Sequence, residues 1–324
     1  MSNSGTSIYV DPDDYQAMVR EGRINLVLAN AVGFKARQTW VEFSHLRLLR
    51  TEETLPRVAY VSLPPEWVFV GFPCKSGSLP TWGGMKLKSD EIVLHGCGER
   101  MHYTTSAVSR WGYVSLAPDH LAAYGRTIAG FDLAVPSTGR ILRPTGRAKA
   151  ELLNLHAQAC HLAETKPKVI THREIARSLE QQLAHALFNC LVADEVYDPT
   201  PTKRHYRNVM AGFEKVLAGR LDRPLRVPDV CATIEVSERT LRTCCAEFLG
   251  LSPGRYIRLR RLNVARRLLR HADPDTTTVA AIARRSGFAE LGRFAAIYRM
   301  AFGELPSTTL AHVRHQSVRF SENA

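Results

Sequence analysis

The sequence predicts an α+β protein in which a β-rich N-terminal part is followed by an all-helical C-terminal part. Short apolar runs such as "RVAYVSL" and "WVFVGF", punctuated by Gly and Pro, occupy the first 145 residues or so, a spacing typical of a sandwich or a barrel. Later segments place apolar residues every three or four positions, which is the period of a helix. The charge changes too: from Lys203 onward there are 22 Lys and Arg against 11 Asp and Glu, whereas the residues before it hold 21 against 20.

The β-rich part ends in two predicted helices, at 147–163 and 172–193. Thr171 and Glu174 have the spacing of a capping box at the start of the second helix. We expect a first domain over 1–195 and a Pro-rich linker over 196–204. The second helix has an apolar stripe that consists of Ile175, Leu179, Leu183, Ala186, Leu187, Cys190 and Leu191.

This apolar stripe must be covered by another surface, because a wide apolar helix face is not stable in water. Two interpretations stay open. The stripe covers the β-rich domain of its own chain, or it joins two chains into a homodimer through the helices 147–163 and 172–193.

The helical part contains the same unit twice. Gly250 and Pro253 match Gly303 and Pro306 at an offset of 53 residues, and in both copies apolar residues recur at helical spacing before the glycine. The short helix that precedes each copy shows an offset of 52, so the second turn is one residue longer. Each unit is therefore a short helix, a tight turn, a longer helix and a glycine stop, which is the pattern of a helix-turn-helix.

A helix-turn-helix presents the outer face of its second helix to a groove of DNA, where Arg bonds guanine and small residues come close to thymine methyl groups. The excess of Arg after Lys203 agrees with a polyanionic partner for this part of the chain only. We expect the motifs at about 227–249 and 279–302, joined by a basic helix over 254–270. The candidate DNA-binding residues are Ser237, Arg239, Arg242 and Thr243 in the first motif and Leu291, Gly292, Arg293, Ala295, Ala296 and Arg299 in the second.

The last 120 residues or so resemble the DNA-binding domain of the AraC/XylS family of bacterial transcription regulators. "VSERTLRTCCAEFLGLSPGRYIRLRRLNVARRLL" resembles the first motif and linking helix of that family, and "AAIARRSGFAELGRFAAIYRMAFGELPS" resembles its second motif. One departure is Glu235, which stands where the first turn of the family often has glycine. Outside this domain only the layout is similar, since members often have a cupin-like β-domain with dimerising helices.

The resemblance implies a sequence-specific regulator that binds double-stranded DNA and works with RNA polymerase. A small molecule or a partner protein that acts on the N-terminal domain would switch it, and no cofactor or metal is expected. The sequence has no secretory signal pattern and no long apolar run, and its seven cysteines are irregularly spaced. We therefore expect reduced thiols and a cytoplasmic, nucleoid-associated protein without membrane contact.

Particular residues bear on other functions: a metal site, a reactive cysteine pair, an enzyme and an architectural DNA-binding protein. His95, Cys97 and His102 lie close together in sequence, but their spacing matches no familiar zinc pattern. The adjacent Cys244 and Cys245 lie on a core-facing stripe and are expected to be inert. No nucleophile elbow or phosphate loop supports an enzyme domain fused to the DNA-binding domain, and a purely architectural DNA-binding protein would not need so well-formed a β-domain.

Overall fold

The computed structural model describes residues 3–20, 22–74, 78–130, 133–192, 195–197, 200–220 and 225–311. The chain divides into two compact units. The first comprises Met1–Asn25 and Phe34–Lys203, and the second comprises Leu26–Gly33 and Arg204–Ala324. The predicted α+β class is confirmed, because the strands occupy the N-terminal part and the C-terminal part is helical.

The strands form two sheets. In order of position, the larger sheet is β1-β3-β4-β11-β6-β9-β12-β13 and the smaller is β2-β5-β10-β7-β8. The strands are β1 (Asn3–Tyr9), β2 (Arg23–Val27), β3 (Ala36–Glu42), β4 (Leu46–Glu53), β5 (Arg57–Ser62), β6 (Val68–Pro73), β7 (Thr81–Trp82), β8 (Met85–Lys86), β9 (Ile92–Leu94), β10 (Arg100–Thr105), β11 (Ser109–Leu116), β12 (Arg140–Arg143) and β13 (Glu195–Tyr197).

Strand β11 shows how the larger sheet divides its side chains between two faces. Val114 and Leu116 belong to the apolar core on one face. Trp111 and Tyr113 belong to the other face, where the ring of Trp111 lies 5.1 Å from that of Tyr103 on the smaller sheet. The period of two along a strand produces this division, so the two sheets enclose an aromatic interior.

The outer face of the larger sheet is covered by α2 (Pro118–Ala129), α3 (Gly146–Thr165), α4 (Pro167–Ile170) and α5 (Arg173–Leu191). The short helix α1 (Pro12–Ala17) instead places Tyr15 at the interior between the sheets. The predicted capping box of α5 is wrong, because the helix begins after His172 without a side-chain cap. The hydroxyl of Thr171 instead donates to the carbonyl of Lys168 at 2.8 Å, within the preceding turn.

The apolar stripe of α5 packs inside its own chain. Leu179, Leu183 and Leu187 are buried in the same core as the larger sheet, and Ile175 alone of the predicted stripe is exposed, at 42%. The interpretation in which the stripe covers the β-rich domain is therefore the one observed. A homodimer cannot use this stripe without opening the core.

The predicted linker is shorter than expected. Glu195–Tyr197 form the edge strand β13, which pairs with β12, and the next helix already begins at Pro201. Residues 198 and 199 of the predicted linker lie outside the described residues.

The remaining helices are α6 (Pro201–Arg220), α7 (Val227–Thr233), α8 (Glu238–Leu249), α9 (Pro253–His271), α10 (Val279–Arg285) and α11 (Leu291–Phe302). The bounds of α7–α8 and α10–α11 agree with the two predicted motifs, and α9 agrees with the predicted linking helix. Three of these helices begin at hydroxyl caps, with Ser237 before α8, Ser252 before α9 and Thr278 before α10, as hydroxyl side chains favour that position. None of the described helices is long and apolar enough to cross a bilayer.

Candidate nucleic-acid interface

The first helix-turn-helix consists of α7, the turn 234–237 and α8. The turn is closed by the amide of Val236, which donates to the carbonyl of Cys231 at 3.0 Å. Gly250 ends α8 in the left-handed conformation with φ 64°, as the sequence predicts for a glycine stop. The inward face of α8 is fully apolar and buried, and it consists of Leu241, Cys244, Cys245, Phe248 and Leu249.

The outward face of α8 contains three exposed residues, Arg239, Arg242 and Thr243, which we call the α8 triad. Within the described part of the chain, the guanidinium of Arg239 has no side-chain partner. Arg242 forms an ion pair with Glu238, one turn earlier on the same face. The hydroxyl of Thr243 donates to the carbonyl of Arg239 at 3.0 Å, so Arg239 can reach a ligand by rotation alone, whereas Arg242 must leave Glu238 to do so.

Ser237 has a structural role in addition to the predicted one. Its Oγ accepts a hydrogen bond from the amide of Thr240 at 3.0 Å and caps α8. The residue is exposed at the helix N-terminus, which is a favourable position for an anion such as a phosphate.

The second helix-turn-helix consists of α10, a turn containing Gly287, and α11. An aromatic ladder anchors α11: the ring of Phe294 lies 4.9 Å from that of Phe288 and 5.6 Å from that of Tyr298. The buried hydroxyl of Tyr298 is hydrogen-bonded to Oγ1 of Thr309 at 2.8 Å. These contacts hold the inner face of α11, so its opposite face is directed outward.

The outward face of α11 differs in chemistry from that of α8. Gly292, Arg293, Ala296 and Arg299 are exposed, whereas Leu291 and Ala295 are half-buried. Of the two exposed arginines, Arg293 lies 3.9 Å from a carboxylate oxygen of Glu290. The face also includes Met300, which is 75% exposed and is absent from the predicted set. Its position one turn after Ala296 is a signal in the sequence that could have identified it.

Comparison with known proteins agrees with this geometry. Residues 230–312 match a family described as a helix-turn-helix domain. The chain is 34% identical over 118 residues to a probable thc operon regulatory protein of Rhodococcus erythropolis, covering 36% of this chain and 35% of that protein. It is 35% identical over 107 residues to a XylDLEGF operon transcriptional activator of Pseudomonas putida, covering 32% and 33%.

A solved structure of a probable AraC family transcriptional regulator from Rhodopseudomonas palustris is 34% identical, over 33% of this chain and 97% of that one, with a TM-score of 0.30. The C-terminal part of this chain is an AraC-type helix-turn-helix domain. The chain spans about a third of the length of the curated relatives that it matches.

The AraC-type domain uses some of its arginines to hold its own fold. On α9, Arg260 and Arg266 are buried. Arg260 lies 3.4 Å from the buried carboxylate of Glu214, which also accepts a hydrogen bond from the hydroxyl of Tyr256 at 2.5 Å. Only part of the positive charge of this basic helix is therefore free for DNA phosphates.

A basic groove remains between α9 and the start of α11. It has a volume of about 290 Å³, and the residues that give it charge are Arg258, Arg261, Glu290 and Arg293. Burial lowers the pKa of Arg261, and an anion in the groove would oppose that effect. Since Arg258, Arg261 and Arg293 all line this groove, it suits a phosphate group.

The candidate metal ligands do not form a metal site. Nδ1 of His95 lies 2.9 Å from the carboxylate of Glu99, His102 is buried against Tyr60 with ring centroids 4.9 Å apart, and Cys97 is exposed. No cluster of three or more metal-ligating side chains occurs in the described part of the chain. Cys244 and Cys245 are both buried, and desolvation raises the pKa of the Cys245 thiol, so neither is a reactive thiolate.

The interior between the two sheets contains a small cavity of about 50 Å³. On one side lies a buried ionic cluster in which the carboxylate of Glu53 accepts from the hydroxyl of Tyr15 at 2.6 Å and from Nη2 of Arg57 at 3.2 Å. Beside this cluster, where the guanidinium of Arg57 lies over the ring of Tyr103, the hydroxyl of Tyr103 and Nε1 of Trp111 are buried without a hydrogen-bond partner among the described residues. Buried polar atoms without partners are costly, so this interior is prepared to donate hydrogen bonds to an added molecule.

Proposed function

We propose that this protein is a sequence-specific DNA-binding regulator of transcription. The observation that carries the proposal is the duplicated helix-turn-helix, in which α8 and α11 are anchored on one face and present exposed arginines on the other. In this arrangement α8 and α11 would occupy successive major grooves on one side of a duplex, about 34 Å apart. The named relatives are an operon regulatory protein and a transcriptional activator, which supports activation through contact with RNA polymerase.

Two alternatives predict different results. An architectural DNA-binding protein would enrich no particular sequence, and an enzyme fused to the DNA-binding domain would convert a substrate of its own. A transcription regulator, which would act in the cytoplasm on the DNA of the nucleoid, must prefer a particular sequence. It must also change transcription from a promoter that carries this sequence.

The experiment is an in vitro selection of random duplexes by the full chain, followed by transcription from a promoter that carries the enriched sequence. We expect one enriched sequence, binding that weakens steeply as salt rises, and altered transcription when the protein is added. Enrichment of no sequence would contradict the proposal. The Arg239→Ala, Arg293→Ala double variant, which leaves both anchoring faces intact, is the matched control and is expected to lose the enrichment.

We also propose that the cavity between the sheets binds a small effector. The partnerless donors of Tyr103 and Trp111 support a ligand that accepts hydrogen bonds, and the apolar lining residues Leu49, Val61 and Phe69 support a small apolar body. Since Arg57 is already paired with Glu53, the ligand would be neutral. Thermal shift of the full chain against small neutral compounds with an acceptor group tests this. Tyr103→Phe, which removes only the hydroxyl, should reduce any shift.

A homodimer remains a prediction for the polar outer faces of α3 and α5, because the apolar stripe of α5 is already buried. Sedimentation of the full chain with charge-reversing changes at exposed positions of α5, such as Arg177→Glu, tests it. A monomer at high micromolar concentration would contradict the dimer while leaving the proposed DNA binding intact.

A further inference from the structure

Helices α8 and α11 have the same position in their motifs but opposite chemistry on their outward faces. The offset of 53 residues aligns the α8 triad with Gly292, Ala295 and Ala296, which we call the α11 triad. The α8 triad offers two guanidinium groups and a hydroxyl, whereas the α11 triad offers no side-chain donor or acceptor. A helix that enters a groove with the α11 triad cannot read bases there by hydrogen bonds.

The lack of a side chain at Gly292, in the α11 triad, is not required by the packing of this domain. A Cβ built on Gly292 meets no atom within 4 Å, and the φ of Gly292 is not among the positive values that favour glycine. Glycine also weakens a helix relative to alanine. Close approach of another molecule to the helix backbone is a physical reason for a residue without a side chain at this exposed position.

The outward face of α11 suits one kind of base edge. Ala296 presents an exposed methyl group, and the thioether of Met300 follows one turn later at 75% exposure. In the major groove, the apolar group on a base edge is the C5 methyl of thymine, and alanine is a residue that packs against it. Arg293 and Arg299 stand on the same exposed side, where they can hold phosphates or a neighbouring guanine while the methyl contacts form.

We propose that α11 reads thymine through its C5 methyl group, whereas α8 reads guanine by hydrogen bonds from Arg239 and Arg242. The inference rests on the proposed function, since it concerns how the same DNA is read. The bound site is then asymmetric, with readout by two arginines in the half that α8 contacts and readout by methyl contacts beside Arg293 in the half that α11 contacts.

The test uses the full chain and the duplex that in vitro selection enriches. Arg239→Ala and Arg293→Ala first assign the halves, because each variant relaxes preference in the half that its helix contacts. Each thymine is then replaced by deoxyuridine, which removes only the C5 methyl. We expect affinity to fall about fourfold for each contacted methyl in the α11 half, and by less than twofold for any replacement in the α8 half.

A matched pair of protein variants separates methyl contact from helix stability. Ala296→Gly removes the proposed contact, and Ala246→Gly makes the same change at an exposed position of α8. Only Ala296→Gly should abolish the effect of deoxyuridine. If no duplex is enriched, the proposed function fails. If a duplex is enriched but deoxyuridine has the same effect in both halves, or Ala296→Gly leaves that effect unchanged, the inference about thymine is overturned while the proposed function stands.

Discussion

Glu235 and Gly287 occupy corresponding places in the turns of the two helix-turn-helix motifs, and both have a left-handed backbone, with φ angles of 55° and 80°. Among the described residues, Glu235 is the non-glycine residue with a positive φ. A side chain in this conformation brings Cβ close to a backbone carbonyl, a clash that glycine avoids. The first turn therefore contains a strain that the second turn lacks.

Replacing Glu235 with glycine should relieve this strain. We expect Glu235→Gly to raise the free energy of unfolding by about 0.5–1 kcal/mol, because the relief exceeds the added entropy of glycine in the unfolded chain. The thermal midpoint of the helical transition measures it. Glu247→Gly, within helix α8, is the control and should destabilise by about 1 kcal/mol. A lower midpoint for Glu235→Gly would contradict the strain.

The buried imidazole of His156 should make the first unit sensitive to acid. Desolvation lowers the pKa of His156 from 6.5 to about 4, and its Nε2 lies 3.3 Å from the carbonyl of Leu49. The folded state therefore binds fewer protons than the unfolded state in this range. The stability that this histidine supplies is complete above pH 6.5 and falls progressively, by about 3 kcal/mol in all, as the pH drops to 4.

The comparison of His156→Gln with the original chain isolates this effect. The variant cannot titrate, so its stability should decline less between pH 6.5 and 4. His161→Gln, which removes an exposed histidine from the same helix α3, should leave the decline unchanged. Identical pH profiles for His156→Gln and the unmodified chain would show that burial does not hold this imidazole neutral.

Removing one of the two buried charges Glu53 and Arg57 should destabilise the protein more than removing both. Both side chains are almost fully buried, and they form an ion pair that the hydroxyl of Tyr15 joins. Glu53→Gln leaves the guanidinium without a counter-charge and should cost about 3–5 kcal/mol of stability. The double change Glu53→Leu, Arg57→Met should recover most of that loss in urea unfolding. A double variant less stable than Glu53→Gln would contradict this coupling.

The ion pair between Arg242 and Glu238 should restrain DNA binding. In the protein without DNA, the carboxylate of Glu238 holds the guanidinium of Arg242. In a complex, the same carboxylate would lie near DNA phosphates. We expect Glu238→Gln to tighten DNA binding by about two- to fivefold, since it frees Arg242 and removes a repulsion. Fluorescence anisotropy with a labelled duplex measures this. Glu247→Gln, on a neighbouring face of α8, is the control, and weaker binding by Glu238→Gln would contradict the restraint.

The helical domain was predictable because its signals are local. Gly250 and Gly303 mark the two helix ends, Ser237 marks a helix start, and the offset of 53 residues relates the two motifs. Each of these features depends on backbone conformation within a few residues, which the sequence specifies directly. The sequence also indicated the outward arginines, because helical periodicity places them opposite a buried apolar stripe.

The features that sequence reasoning missed or left open depend on residues far apart in the chain. The pairing of Arg260 with Glu214 buries a charge that the sequence suggested was free for phosphates. The partner of the α5 stripe is a sheet assembled from strands scattered over the first unit. Thr171 fits a capping box by spacing, but the preceding turn at Lys168 takes its hydroxyl. Long-range packing decided each of these outcomes.

In the proposed complex, exposed arginines of α8 and α11 read bases, whereas other exposed arginines only bind phosphates. The most direct test is a complete binding profile, over all single-base changes of the selected site, for Arg239→Ala, Arg293→Ala and the α9 variant Arg255→Ala. We expect each of the first two variants to relax the preference at one or two base pairs and to cost about 1–3 kcal/mol on the best site. We expect Arg255→Ala to weaken binding to all sequences equally and to lower the salt dependence. Profiles for Arg239→Ala and Arg293→Ala that keep the original base preferences would contradict this proposal.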